Sequence, residues 1–230
     1  MEYKKVTYPL KLISSHKEVG NIKTFIFEKS GHSWQAGQSQ AYILSQVGET
    51  EAENQRWFTI SSAPSEGTIN ISTRITDTAF KQALNKLKPG DEILAYDLGG
   101  SFTWEEGLNE PVVMVAAGIG ITPFRSILTE RHKTGKKIPV TLLYFNRTNE
   151  VPFEKELREL EKQHSEFILK IIIGEDVTSD KILKLAPQAM NQILYLSGPE
   201  PMVEIIGAEL REHQVFVKQD WFPGYNKTNY

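Results

Sequence analysis

The stretch "VVMVAAGIGITPFRSIL", residues 112–128, decides the fold. Its opening run, Val112–Ala117, is apolar without alternation, the pattern of a strand buried on both faces. The run breaks on Gly118 and Gly120 and then turns helical through Thr122-Pro123. One glycine serves a tight turn; two, ahead of a helix start, imply a backbone that something approaches closely. Thr122 is placed to cap the helix through its hydroxyl, and Pro123 suits the first helical position. Free N–H groups and the helix dipole at such a start favour an anion. The usual dinucleotide turn wants glycine at position 123, so this Gly-x-Gly-x-Thr-Pro run is a narrower pattern. Taken alone, it fits ligand approach and simple helix–sheet packing equally well.

Outward from this stretch the chain has two rhythms. Downstream of Pro111, strand patterns ("PVTLLYFN", "FILKIII", "QILYLSG", "VFVKQD") alternate with helical ones ("FEKELRELEKQH", "SDKILKLA", "PMVEIIGAELREH"). That alternation predicts a parallel sheet covered on both faces. Upstream, short β-rich runs such as "IKTFIFEK", "RWFTISSAP" and "TINISTRIT" are separated by turn residues, with one helix, "AFKQALNKL", closed by Lys88-Pro89-Gly90. This predicts an antiparallel sandwich or barrel. The polar residues 105–111 mark the boundary, giving domains over 1–108 and 109–230.

Composition narrows the class. The chain has 230 residues, 40% of them hydrophobic, a formal charge of -3 and no cysteine. Disulfides, thiolate metal sites and a cysteine-held iron–sulfur cluster are excluded. No unbroken apolar run reaches the ~18–20 residues of a membrane span, and "MEYKKVTYPLKL" does not read as a signal peptide. Scattered lysines and the net negative charge speak against a nucleic-acid surface. The expectation is a cytoplasmic globular protein with no metal site; its five histidines carry no assigned chemistry.

Two further features join the glycine turn. On a strand, Arg56 and Phe58 of "RWFTISSAP" share one face and Thr59 takes the other. In "YLSGPEPM", a strand ends at Ser197-Gly198-Pro199 and a helix begins near Pro201. Strand ends of a parallel sheet open onto its ligand crevice, which sets Gly118, Gly120 and Ser197 at one edge.

In this order the three pieces resemble the ferredoxin–NADP reductase superfamily. Arg56-Trp57-Phe58-Thr59 matches its Arg-x-(Tyr/Phe)-(Ser/Thr) flavin motif. Residues 118–123 match its Gly-x-Gly-x-Thr-Pro motif, and Ser197-Gly198-Pro199 its (Cys/Ser)-Gly-Pro motif. "TRITDTAFKQALNKLKPGDEI" resembles its flavin-phosphate segment and "GGSF" the loop closing its barrel, so the resemblance runs from about residue 5 to "DWFPGY". It implies a two-domain fold: an antiparallel β-barrel that binds FAD, then an α/β parallel-sheet domain that binds NAD(P).

The resemblance also implies roles. Phe58 would flank the flavin ring, Thr59 would hydrogen-bond near its N5, and Arg56 would pair with its phosphates. Trp57, Arg74, Ile75, Thr76, Thr78, Ala79 and Phe80 would line the same cofactor. Gly118, Gly120, Thr122, Pro123, Gly198, Pro199 and Met202 would take the pyridine nucleotide. Ser197 stands where cysteine is common, and Asp220 and Phe222 lie where relatives set an acid and an aromatic against the active centre. Thr59, Ser197 and Asp220 are the expected catalytic residues. The implied reaction is hydride transfer from NADPH or NADH to FAD (FMN as the fallback), with electrons passed to ferredoxin, flavodoxin or an oxygenase component. Lacking cysteine, the chain would be the stand-alone reductase. NADPH is favoured over NADH, because Asn146 and Arg147 stand where NAD-binding sheets carry an acid. The rivals are a non-catalytic flavin- or nucleotide-binding subunit of a larger complex, and a hydrolase using Ser197. The hydrolase lacks a nucleophile elbow and a partnered histidine.

Overall fold

The computed structural model describes residues 6–29, 31–105 and 111–222. The chain separates into two compact units, Met1–Thr103 and Trp104–Tyr230; most of the expected boundary, residues 106–110, lies outside the described residues.

The first unit holds strands β1 (Tyr8–Val19), β2 (Ile22–Glu28), β3 (Ser39–Ile43), β4 (Gln55–Thr59), β5 (Thr68–Arg74) and β6 (Glu92–Gly99), with helices α1 (Glu51–Asn54) and α2 (Ala79–Lys86). They form one sheet in the order β4-β3-β6-β1-β2-β5, every neighbour antiparallel. β1 explains the curl. Its first residues pair with β6, then its register shifts twice as it pairs with β2, and such irregularities bend a strand and raise its twist. The barrel-like sheet does not close. β4 ends at Thr59, and beyond it the two edges meet through an Ile60–Ile71 bridge, a 2.9 Å bond from Ser61 N–H to the Asn70 carbonyl, and side-chain bonds of Ser61 and Ser62 to β5 rather than a continuous ladder. Alternation along β2 and β5 sends Phe25, Phe27, Ile69 and Ile71 into the core, all essentially inaccessible. Each such side chain contributes about 1.5–3 kcal/mol by burial. Helix α2 lays Phe80 and Leu84 on the same core. Helix α1, too short to leave a periodic signature, is entered through a capping box in which the Thr50 hydroxyl donates to Glu53 Oε2 at 2.7 Å.

The second unit alternates β7 (Val112–Ala117), α3 (Thr122–Lys133), β8 (Val140–Asn146), α4 (Glu154–Gln163), β9 (Phe167–Ile173), α5 (Ser179–Leu185), β10 (Ile193–Pro199), α6 (Glu200–Glu212) and β11 (Phe216–Phe222). The five strands are parallel, in the order β11-β10-β7-β8-β9. β7 is central and every one of its residues is buried, as its unbroken apolar sequence requires. Helix α4 buries Leu157 and Leu160 and leaves its charged residues outward, Arg158 bridging Glu154 and Glu161. After β7 the chain steps to β8 and β9, then returns to β10 on the other side of β7. The connections therefore leave β7 and β10 in opposite directions, and a crevice forms at their C-terminal ends.

Candidate functional sites

The C-terminal edge of the parallel sheet gathers the glycine turn and the Ser-Gly-Pro strand end. Residues 118–121 form a single 3-10 turn running straight into α3. Thr122 therefore does not cap the helix as the sequence suggests: with Ile121 already helical, its hydroxyl donates back to the Ile119 carbonyl at 3.1 Å. Pro123 does fall in the first turn of α3 and is buried. The two glycines have different reasons. Gly118 has φ +52°, the left-handed region, and a side chain added there would meet nothing within 4 Å. Gly120 faces β10 backbone, where a Cβ would lie 2.7 Å from the Ser197 carbonyl carbon and 2.8 Å from Gly198 Cα. What approaches Gly120 closely is the protein's own strand, and the open side of the turn is at Gly118.

Neighbouring residues complete this edge. At Gly198 a Cβ would stand 2.7 Å from Met202 Cε and 3.0 Å from Ala117 Cβ, so a side chain there would displace Met202. Met202 thus packs on the strand end. Pro199 ends β10 and is buried. Ser197 is fully buried, and its hydroxyl donates to Asp220 Oδ2 at 3.5 Å across the β10–β11 register. Burial pushes the Asp220 carboxyl up to about 7, with the Ser197 bond pulling the other way. Phe222 pairs with Pro199 at the end of the same ladder. On the other side of β7, the Tyr144 hydroxyl of β8 lies 3.1 Å from the Gly118 carbonyl. Asn146 ends β8 with its side-chain nitrogen buried and unpartnered. Arg147, next to it, is exposed. The β8–β9 register sets Asn146 beside Ile173, and the Gly174 N–H donates to the Asn146 carbonyl at 2.9 Å, so Glu175 and Asp176 follow at the same edge. The acid missing from the end of β8 is supplied in duplicate after β9.

In the first unit, Arg56 and Phe58 do share a face, and both meet Phe80 of α2. The guanidinium carbon lies 5.6 Å from that ring and the Phe58 centroid 5.9 Å. Phe58 and Phe80 belong to the hydrophobic core, 9% and 1% exposed, with Tyr42 beyond Phe58. Phe80 is therefore a packing residue of that core, which the helix pattern alone does not reveal, and Trp57 is the exposed aromatic of the motif at 49%. Arg56 Nη1 donates to the Ala52 and Gln55 carbonyls at 2.7 and 2.6 Å, fixing the side chain while Nε and Nη2 lie outside these bonds. Thr59 is buried on the opposite face. Arg74 Nη1 donates to Asn21 Oδ1 at 2.7 Å, and its Nε is buried and unpartnered. Ile75 exchanges bonds with Asn21, and the Thr76 carbonyl accepts from Gln82. Thr78 flanks the start of α2 in an extended conformation, its hydroxyl not used for capping, with Thr78 and Ala79 exposed. The first N–H groups of α2 thus carry no side-chain cap.

Fold and edge together define a class: an antiparallel, barrel-like unit followed by a parallel-sheet dinucleotide-type unit. Residues 114–207 match the family model of the oxidoreductase NAD-binding domain. The flavohemoprotein of Candida albicans is 28% identical over 193 residues, 76% of this chain and 48% of its own length. Ferredoxin–NADP reductase B of Sorangium cellulosum is 28% identical over 197 residues, 81% of this chain and 76% of its own. The crystal structure of the flavohem-like FAD/NAD-binding domain of nitric oxide dioxygenase from Vibrio cholerae superposes with a TM-score of 0.76, at 21% identity, over 93% of this chain and 98% of that one. The chain is thus similar to a ferredoxin–NADP reductase and to flavohemoproteins, each at 28% identity or less. It spans somewhat under half the length of the flavohemoproteins it matches, 48%, 43% and 44%. Among the described residues no helix is long and apolar enough to cross a membrane, and no group of three or more metal-binding side chains occurs.

Proposed function

We propose that the chain is a flavin-dependent oxidoreductase that accepts hydride from NAD(P)H and passes electrons to a separate acceptor. The observation that carries this reading is the convergence at one sheet edge of the open Gly118 turn, the unpartnered Asn146 amide and the Ser197–Asp220 pair. A dinucleotide needs N–H donors and a close-approach turn, and this edge supplies both.

The donor set of the first unit fits a flavin carrying phosphates. Arg56 with Nε and Nη2 outside its backbone bonds, the unpartnered Arg74 Nε and the uncapped start of α2 offer cations and N–H groups to an anion. Several donors suit the diphosphate of FAD better than the single phosphate of FMN. Trp57, half exposed, supplies an aromatic surface, with Thr59 two residues on along the same face of β4 and Phe58 in the core behind it. When bound, a flavin supplies hydride acceptance from reduced nicotinamide and the release of electrons singly. The protein's own residues orient, exclude water and handle protons. Ser197 and Asp220 hold a proton at Oδ2 near neutral pH, within a strand end that Gly120 and Met202 pack tightly. Arg147 favours a 2′-phosphate while Glu175 and Asp176 oppose it, so both NADPH and NADH are accepted as donors. The acceptor is proposed to be an electron-transfer protein or an oxygenase component.

Steady-state oxidation of NADH and NADPH with an artificial electron acceptor tests this reading. Turnover that depends on bound flavin is expected. Tight flavin and nucleotide binding with no turnover would favour a non-catalytic electron-transfer subunit instead.

A further inference from the structure

Tyr144 has no place in the motifs, yet its contacts fall on the turn that matters most. It stands on β8, fully buried, and its hydroxyl lies 3.1 Å from the Gly118 carbonyl and 3.3 Å from the Pro152 carbonyl. A phenol has one proton to donate, so two loop carbonyls at the C-terminal edge of the sheet share it, the Gly118 contact being the shorter. The Pro152 side is itself braced. Phe153 takes a left-handed φ of 59°, and its ring lies 5.7 Å from the Arg125 guanidinium, which pairs with Glu156 at 3.1 Å. The anchor for the Gly118 carbonyl is therefore held by contacts on its far side.

The peptide plane turns this anchor into a functional statement. In a trans peptide the carbonyl and the following N–H point in opposite directions. With the Gly118 oxygen held inward on Tyr144, the Ile119 N–H is directed to the other side of that plane. Gly118 keeps its left-handed φ, and its side-chain direction is open.

We propose that Tyr144 is a positioning residue for the pyridine nucleotide, its hydroxyl pinning the Gly118 carbonyl so that the Ile119 N–H is presented to a phosphate of the dinucleotide. This rests on the reading of the sheet edge as a nucleotide site. Tyr144→Phe removes the hydroxyl and nothing else. Tyr195→Phe is the matched control: Tyr195 is a buried phenol of the same sheet whose oxygen accepts from the Glu105 N–H at 3.2 Å, away from the glycine turn.

The experiment is calorimetric titration of NAD+ and NADP+ into the flavin-loaded wild type and both variants, with flavin affinity and thermal midpoint measured in parallel. Tyr144→Phe is expected to weaken nucleotide binding by about five- to tenfold, the loss of one well-made hydrogen bond, with flavin affinity unchanged. Tyr195→Phe is expected to leave nucleotide affinity as in the wild type. Equal nucleotide affinity in Tyr144→Phe and wild type, or equal weakening in both variants, overturns the positioning role. A wild type that binds neither nucleotide overturns the nucleotide site itself, and the two failures are distinct.

Discussion

Replacing Gly120 by alanine probes the sheet edge at its tightest point. The new methyl would stand 2.7 Å from the Ser197 carbonyl carbon and 2.8 Å from Gly198 Cα, distances that real Cβ atoms do not keep. The obstacle is backbone of a buried strand hydrogen-bonded on both sides, to β7 and β11, so no flexible side chain can swing away. Relief requires β10 or the 118–121 turn to shift by the better part of an ångström. Overpacking of this kind costs about 1–3 kcal/mol, and the upper end applies where backbone must move. For a chain of this size about 3 kcal/mol lowers the thermal midpoint by roughly 6–12 °C. Gly118→Ala is the contrast. It meets no atoms and carries only the left-handed penalty of about 1 kcal/mol. Thermal unfolding of the three proteins is the assay, with flavin retention as a control on the first unit. A Gly120→Ala protein melting within a degree or two of wild type would refute the packing account and restore ligand approach as the reason for that glycine.

Other consequences follow from named contacts. Arg56→Ala should raise the flavin dissociation constant by about tenfold or more, the loss of a charge-assisted partner worth roughly 1.5–3 kcal/mol, as read by fluorescence titration of the apoprotein; unchanged retention would remove Arg56 from the cofactor site. Asp220 binds its proton more tightly folded than unfolded, so stability falls as pH rises from about 4 to about 7 and is flat above. The full separation corresponds to at most about 4 kcal/mol. Asp220→Asn should erase that decline in denaturant unfolding between pH 5 and pH 8, and an identical decline in the variant would contradict it. Arg147→Ala should lower kcat/KM for NADPH several-fold and leave that for NADH nearly unchanged, since Glu175 and Asp176 remain; an equal effect on both would place Arg147 outside the 2′-phosphate's reach.

Local pattern carried much of this in the sequence. The unbroken apolar run of β7, the amphipathic α4 and the period-two face of β5 are encoded by neighbours and were legible. The motifs Gly118–Pro123 and Ser197–Pro199 come together at one sheet edge because each ends a parallel strand, which the sequence also shows. What stayed hidden depends on distant partners. Nothing near Gly120 in the chain says that β10 lies against it, so one glycine was indistinguishable from its neighbour. Thr122 reads as a cap until the preceding 3-10 turn occupies its place. Phe80 sits two residues after Thr78 in a helix start, and only the packing of α2 on β4 makes it core. Asn146 and Arg147 looked free of acid because the carboxylates that share their edge follow a different strand. Tyr144 reads as one more apolar residue of β8, and its hydroxyl acquires meaning only through Gly118 and Pro152.

The central claim is that the first unit binds a flavin which nicotinamide reduces. Its most direct test is the visible absorbance spectrum of the purified protein, recorded anaerobically before and after one equivalent of NADH or NADPH. A yellow protein whose flavin bands bleach on addition of either nucleotide is the predicted result. A colourless protein that takes up no added FAD, or a bound flavin that neither nucleotide reduces, would contradict it.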